Sequence, residues 1–502
     1  MPNNTVIIGA GISGLSAACY LANKWYPVTV LEKISYPGGR AGQIQSDGFT
    51  FDLGPSWYWM PDIFESFFNH FSKSASDYYR LRRLDPAYRV YFDTMDYIDI
   101  PASEQELYAL FDRHETNGGK KLKSFLSEAE IKYHIDINDF ARRPGLSIFE
   151  FMDKSFLRGV FKLDMFKSVT SSIDRYFSNE RLKQILQFPV IFLGSAPNKT
   201  PALYTLMNYA DLILGTWYPM GGLYKIPEAM ADLAKSLGVT IKYNTPVERI
   251  EVNNKTANAI HASDKTYHSD ILIGSADYQH IEHQLLPDKY QVYTNKYWEK
   301  RVMAPSAILI YLGVNKKVDN LLHHNLFFDV DFNMHADEIY KSPKWPDNPS
   351  LYVSCTSKTD VGVAPEGHEN LVILIPVATG LQDSDEIREH YYHLAIERIE
   401  KRINVSFKSN ITFRKIFSHR DFISAFNSYK GNAYGLANTL FQTAIFKPSI
   451  RSKKVKNLFY TGQLTVPGPG VPPALLSGEM ASHQIEKQYE PLINASLQKE
   501  MR

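Results

Sequence analysis

The segment Thr5–Leu31 constrains this chain more than any other. Thr5 to Ile8 is a short β-branched run, as expected of a buried parallel strand. Gly9-Ala10-Gly11-Ile12-Ser13-Gly14 follows at once. Leu15 to Leu21 then reads as a helix of small and apolar residues, and Val28 to Leu31 as a second strand ending at Glu32. Each part has a physical task. Gly9 permits the tight turn, Gly11 lets backbone approach a pyrophosphate, and Gly14 lets the helix pack close to the strand. The helix amino terminus offers unpaired N–H groups and the positive end of its dipole to an anion. Glu32 falls where a carboxylate accepts hydrogen bonds from ribose hydroxyls, and its charge repels a 2′-phosphate. A dinucleotide without that phosphate is the expected ligand, with Ser13 and Lys33 beside it.

The chain has 502 residues, 44% hydrophobic and 22% charged, enough for two or three folded domains of ~100–200 residues each. A net charge of +1 argues against nucleic acid as the main partner, because phosphate neutralisation needs a basic excess. Two cysteines, Cys19 and Cys355, make a disulfide framework improbable, and no zinc-type spacing of Cys and His is present. The amino-terminal residues lack the pattern of a signal peptide, and no apolar run has the ~18 residues needed to span a bilayer. A cytoplasmic protein is expected.

Beyond Glu32 come Lys33, the loop Gly38-Gly39-Arg40-Ala41-Gly42, and Phe51-Asp52-Leu53-Gly54-Pro55-Ser56. A second block runs from Trp217-Tyr218-Pro219-Met220-Gly221-Gly222 through Thr245-Pro246-Val247 to the apolar strand ending at Gly274-Ser275-Ala276-Asp277. A third, Phe459-Tyr460-Thr461-Gly462, precedes the loop 466–471, after which Pro472-Pro473 suit the first turn of a helix. E-K-x(4)-G-G-R-A-G followed by F-x-F-D-x-G-P-S resembles the flavin-dependent amine oxidase and phytoene desaturase superfamily. The phrases at Gly54 to Asp62, Tyr218 to Leu223 and Leu464 to Pro473 are most similar to bacterial phytoene desaturases. Val466, Pro469 and Pro473 depart from the T-H-P-G-A-G-x-P-G of many relatives.

The resemblance implies FAD as cofactor. It places Gly39 and Arg40 on FAD, Gly54, Pro55 and Ser56 near the flavin, and the backbone of Val247 on adenine. Asp277, Gly462 and Val471 belong to the returning strands and the last helix, whose amino terminus would face the flavin N1–C2=O edge. It also implies an α/β fold. A doubly wound FAD-binding domain would be assembled from 1–80, 217–295 and 436–490. A mixed-sheet substrate domain would occupy 81–216 and 296–435, with a helical, membrane-facing part in 104–216. The implied activity is desaturation of a carotene, phytoene towards lycopene, by hydride transfer to flavin and proton loss, with quinone or oxygen as terminal acceptor. A hydroxylated or diapo-carotenoid substrate, another flavin oxidoreductase activity, and a non-catalytic isoprenoid escort are the alternatives.

Asp164 and Lys167 take the places of acidic and basic positions that the resemblance connects with catalysis or substrate positioning. An i,i+3 surface ion pair is the other account of them. The stretch Phe151–Phe177 mixes Phe, Leu and Met with Lys and Arg. It fits either a helix lying on the inner face of the cell membrane or one packed on its own domain. Trp57-Tyr58-Trp59 is expected to line a tunnel near the flavin, and His323-His324 to lie in a polar surface loop.

Overall fold

The computed structural model describes residues 4–151, 167–191 and 196–500. Two sheets organise it. The first is five-stranded and wholly parallel, in the order Leu458–Tyr460, Ile271–Gly274, Thr5–Ile8, Val28–Leu31, Thr240–Lys242. Its strands come from three distant parts of the chain. Thr5–Ile8 is buried along its whole length, which a parallel strand covered on both faces requires. The helix Ile12–Asn23, α1, follows it directly and packs chiefly against the carboxy-terminal helix Val471–Glu500.

The second sheet has seven strands, in the order Ile411–Phe417, Ser306–Val314, Glu369–Val377, Leu351–Ser354, His324–Phe327, Tyr88–Asp93, Asp96–Ile100. Its strand Ser306–Val314, second in that order, is buried throughout and alternates between two cores. Ile308, Ile310 and Leu312 pack with Tyr391, Ile396 and Ile399 of the helix Asp385–Ile403. Ala307, Leu309 and Tyr311 face the large core shared with the parallel sheet. This is the two-residue period of a strand covered on both faces. The helices Glu104–His114, Gly118–Asn138, Glu180–Ile191 and Leu206–Leu212 stand beside this sheet.

Two sequence expectations change here. His323 and His324 are not on a surface loop. They are 4% and 0% exposed, because His324 opens the strand His324–Phe327 and its ring stacks on Trp57 at 4.0 Å. Tyr58 faces the core, with its hydroxyl 3.1 Å from that of Tyr79, while Trp57 and Trp59 remain beside the cavity. Most of the stretch proposed for the membrane, 152–166, lies outside the described residues, and with it Asp164. In the described remainder the apolar side chains Val169, Ile173 and Phe177 are buried in the core, while Lys167, Asp174 and Arg175 are exposed. Among the described residues no helix is long and apolar enough to cross a membrane. Cys19 and Cys355 are both buried free thiols.

The contact between α1 and the carboxy-terminal helix is close because Gly478 has no side chain. A Cβ there would lie 2.4 Å from the carbonyl oxygen of Ser13 and 2.7 Å from the nitrogen of Ala17. Gly478→Ala is therefore expected to destabilise the fold by about 1–3 kcal/mol through overpacking against backbone. Its thermal unfolding should fall accordingly, with loss of bound flavin; an unchanged melting temperature would show that the helices can separate at no cost.

Candidate functional site

The glycine turn is the hub of one large cavity of about 370 Å3. The Gly9 N–H donates to Leu31 O at 2.8 Å, and the Gly38 N–H to Ala10 O at 2.8 Å. The Ser275 N–H donates to Ile8 O at 2.9 Å, and the hydroxyls of Ser13 and Ser275 lie 2.9 Å apart. Gly9 has φ +105°, which a side chain would strain, and a Cβ would crowd the backbone of Ser275 at 3.2 Å. At Gly11 a Cβ would meet nothing within 4 Å, so that face of the turn is open to the cavity. No side chain caps the α1 amino terminus, which leaves its N–H groups for a ligand.

The three blocks singled out in the sequence converge on this cavity. Gly9, Gly11, Ser13, Glu32, Lys33, Gly39, Arg40, Gly54, Pro55 and Ser56 line it from the first block. Val247 and Asp277 line it from the second, and Gly462 and Val471 from the third. Gly14 does not reach it. A Cβ on Gly14 would lie 2.2 Å from Gly9 O, so its part is to bring helix and turn together.

The charged members are already engaged. Glu32 is 7% exposed; its carboxylate accepts from the Ala10 N–H at 2.6 Å and the Ile34 N–H at 2.9 Å. Burial pushes its pKa up, and these N–H groups oppose the shift. The Lys33 ammonium donates to Ser424 O at 2.6 Å and Asn427 Oδ1 at 3.0 Å, tying the second strand to the helix His419–Phe426. Arg40 donates through Nη2 to Ser428 Oγ and to Asn432 O at 3.3 Å. Burial pulls this guanidinium down to about 10, and the field of Asp277 acts in the other direction. Asp277 is raised by burial and accepts from the Gln279, His280 and Tyr429 N–H groups.

Sequence reasoning missed Tyr434, Leu309 and Leu374, which also line the cavity. Leu309 and Leu374 sit on no glycine or proline signature, and only the pairing of distant strands brings them there; Tyr434 lies in the bend before Gly435. Lys167 is exposed at the edge of the described stretch 167–191 and does not line the cavity. Among the described residues no cluster of His, Cys, Asp and Glu could hold a metal ion.

A parallel sheet with a glycine turn, a buried acidic residue after the second strand and a returning carboxy-terminal helix defines a dinucleotide-binding protein. The model of the family described as flavin containing amine oxidoreductase matches residues 12–485. A carotenoid 3,4-desaturase of Haloarcula japonica is 40% identical over 479 residues, covering 95% of this chain and 96% of that protein. A zeta-carotene-forming phytoene desaturase of Myxococcus xanthus is 31% identical over 491 residues, covering 96% and 93%. An oxidoreductase from Methanosarcina mazei, solved by crystallography, shares the fold with a TM-score of 0.62 at 16% identity, covering 95% of this chain and 99% of that one. The chain belongs to the flavin containing amine oxidoreductase family. Its cofactor is FAD, and it is an FAD-dependent oxidoreductase.

The cavity fits that cofactor. Arg40 Nε and Thr461 Oγ1 are buried with no hydrogen-bond partner among the described residues, and both residues line it. Glu32 retains acceptor capacity beside the open face of Gly11. Glu32→Ala should raise the Kd for FAD by about ten- to a hundredfold, the worth of hydrogen bonds to a charged group. Glu32→Gln, which keeps one acceptor oxygen, should lose less. Flavin titration by fluorescence quenching measures both; equal occupancy in all three proteins would confine the carboxylate to Ala10 and Ile34.

Proposed function

We propose that this protein desaturates a carotenoid, removing two hydrogens from a CH–CH unit at the edge of a polyene. The observation that carries the proposal is the cavity itself, which joins the dinucleotide turn to an apolar extension. Ala307, Leu309, Leu374, Trp57, Trp59 and Met207 line the same space as Gly11 and Glu32. Such a C–H bond is too weakly acidic for a side-chain base alone. Bound FAD supplies a two-electron acceptor for hydride, while the chain aligns the hydrocarbon and keeps water out. The 40% identity to a carotenoid 3,4-desaturase supports a bond near the end of an already extended polyene. Phytoene, towards lycopene, is the second reading, supported by the 31% identity to a phytoene desaturase. An escort protein would have no use for the cradle around Gly11, Glu32 and Arg40.

FAD-loaded protein in liposomes would be incubated anaerobically with a quinone and either phytoene or an acyclic carotene of longer conjugation. A red shift in absorbance, with new products on chromatography, is the expected result for the longer polyene. Conversion of phytoene alone would favour the second reading. A flavin-loaded protein that converts no polyene would overturn the proposal.

A carotenoid substrate is delivered from a bilayer, and the described residues offer an apolar surface for the encounter. Leu146 and Phe149 are 39% and 76% exposed, and Phe441 and Phe446 are 73% and 50% exposed. The two loops touch: a Cβ on Gly145 would lie 3.1 Å from Ala444 O. The double substitution Phe441→Ser and Phe446→Ser should reduce flotation with phospholipid vesicles severalfold while flavin content is retained. Undiminished flotation would move the contact elsewhere.

A further inference from the structure

Two tryptophans in the wall of the cofactor cavity are held from behind by one buried acid. Trp57 and Trp59 both line that cavity. Between them the Tyr58 backbone bridges to Trp217, and the Tyr58 carbonyl accepts from the Trp217 N–H at 3.1 Å. The antiparallel bridge brings Thr216 beside Trp59. The Trp59 Nε1–H donates to Thr216 Oγ1 at 2.8 Å, and the Thr216 hydroxyl donates in turn to Asp211 Oδ1 at 3.2 Å. The other carboxyl oxygen, Oδ2, accepts from the Tyr88 hydroxyl at 2.7 Å. The Tyr88 ring meets the Trp57 ring edge to face, with centroids 5.4 Å apart. Both hydroxyls bound to Asp211 thus lead to a tryptophan of the same wall.

Asp211 has little to offer the fold on its own account. It is 2% exposed, on the helix Leu206–Leu212, one turn after the cavity-lining Met207. Among the described residues no cation acts on it. Burial pushes its pKa up to about 7, and only the Tyr88 and Thr216 hydroxyls oppose the shift. A buried acid whose partners are neutral recovers at best part of its desolvation cost. What the carboxyl does supply is direction, because its two oxygens fix two hydroxyls at once. An indole has a single N–H, so Trp59 has one ring orientation in which that donor meets Thr216 squarely. The Trp59 ring lies 5.1 Å from that of Trp57 at a tilt of 50°, and Trp57 stacks on His324 at 4.0 Å. Turning one indole therefore disturbs the other.

We infer that Asp211 is a positioning residue: through Thr216 and Tyr88 it sets the planes of Trp59 and Trp57, and with them the shape of the slot in which substrate lies beside the cofactor. This rests on the carotenoid reading above and names the device that fits the wall to a flat, rigid polyene. Asp211 does not itself line the cavity and acts only through its two hydroxyl partners.

The test uses FAD-loaded protein and lycopene as the probe, with binding read by quenching of tryptophan fluorescence. Thr216→Val removes the hydroxyl at nearly constant volume. It should raise the Kd about three- to tenfold, the worth of one hydrogen bond. It should also change the near-ultraviolet circular dichroism of the coupled indoles, with flavin content retained. Thr216→Ser restores the hydroxyl and should return both signals to those of the wild type. Asp211→Asn, whose amide nitrogen cannot accept from one of the two hydroxyls, should weaken binding by a similar factor. Two backgrounds test the route. In Trp59→Phe, which has no N–H to direct, Thr216→Val should add no further loss. In Tyr88→Phe with Thr216→Val, where the carboxyl has lost both donors, Asp211→Asn should add none. Unchanged affinity and dichroism in Thr216→Val would overturn the role. So would full additivity in either background, which would make Asp211 a prop of the fold alone. The two proposals fail separately. Weaker lycopene binding in the variants, with no polyene converted by the wild type, sinks desaturation and keeps the positioning role; conversion with equal affinities throughout keeps desaturation and sinks the role.

Discussion

Helix α1 lies against its neighbours at distances that no ordinary side chain would allow, and the molecule is arranged around that approach. Gly14 brings the first turn of the helix onto the carbonyl of Gly9, and Gly478 brings the carboxy-terminal helix onto the backbone of Ser13 and Ala17. Hydroxyls then fasten what the glycines admit. The Ser16 hydroxyl donates to Leu475 O at 2.7 Å, and the Ser482 hydroxyl to Ala17 O at 3.3 Å and Gly478 O at 3.0 Å. Ser477 accepts from the Gly462 N–H at 3.0 Å and donates to Val466 O at 2.7 Å, which fixes the loop that closes the cavity. The cradle is thus held on backbone, and its rigidity does not depend on long side chains finding one rotamer.

This geometry divides labour between the two sheets. The parallel sheet presents helix termini, glycines and a buried carboxylate, all suited to phosphates and ribose. The mixed sheet presents a row of apolar side chains on one face and packs the helix Asp385–Ile403 on the other. The buried charges in the seam are matched, since Arg40 and Asp277 lie within each other's field, and the exposed Lys33 reaches the carbonyl of Ser424. The oily side of the cavity is therefore kept free of unpaired charge, which a hydrocarbon substrate requires.

The amino-acid sequence discloses the cofactor cradle well, because its signals are local. A β-branched strand, a glycine turn and a small-residue helix are contiguous at Thr5–Leu21, and Glu32 follows at the expected place. The substrate side is far less legible. The rung Leu309–Leu374–Tyr352–Leu326 unites residues whose proximity depends on strand register, and a shift of one residue would turn every one of them away. His323 and His324 suggested a polar loop for the same reason: two adjacent histidines carry no local signal of burial, and only the strand after them and the Trp57 ring place them inside.

The position of the strand Leu458–Tyr460 has a consequence for how the protein comes into being. That strand is the edge of the parallel sheet, paired with Ile271–Gly274, and the helix after it completes the wall around the glycine turn. Ser16 waits for a carbonyl 459 residues further along the chain. During synthesis the glycine-turn motif leaves the ribosome well before the strand and helix that complete its wall, and it remains half-built until they follow. Cofactor capture is thereby a report on completion: a chain that stalls before the last helix has the fingerprint of a flavoprotein without the grip of one.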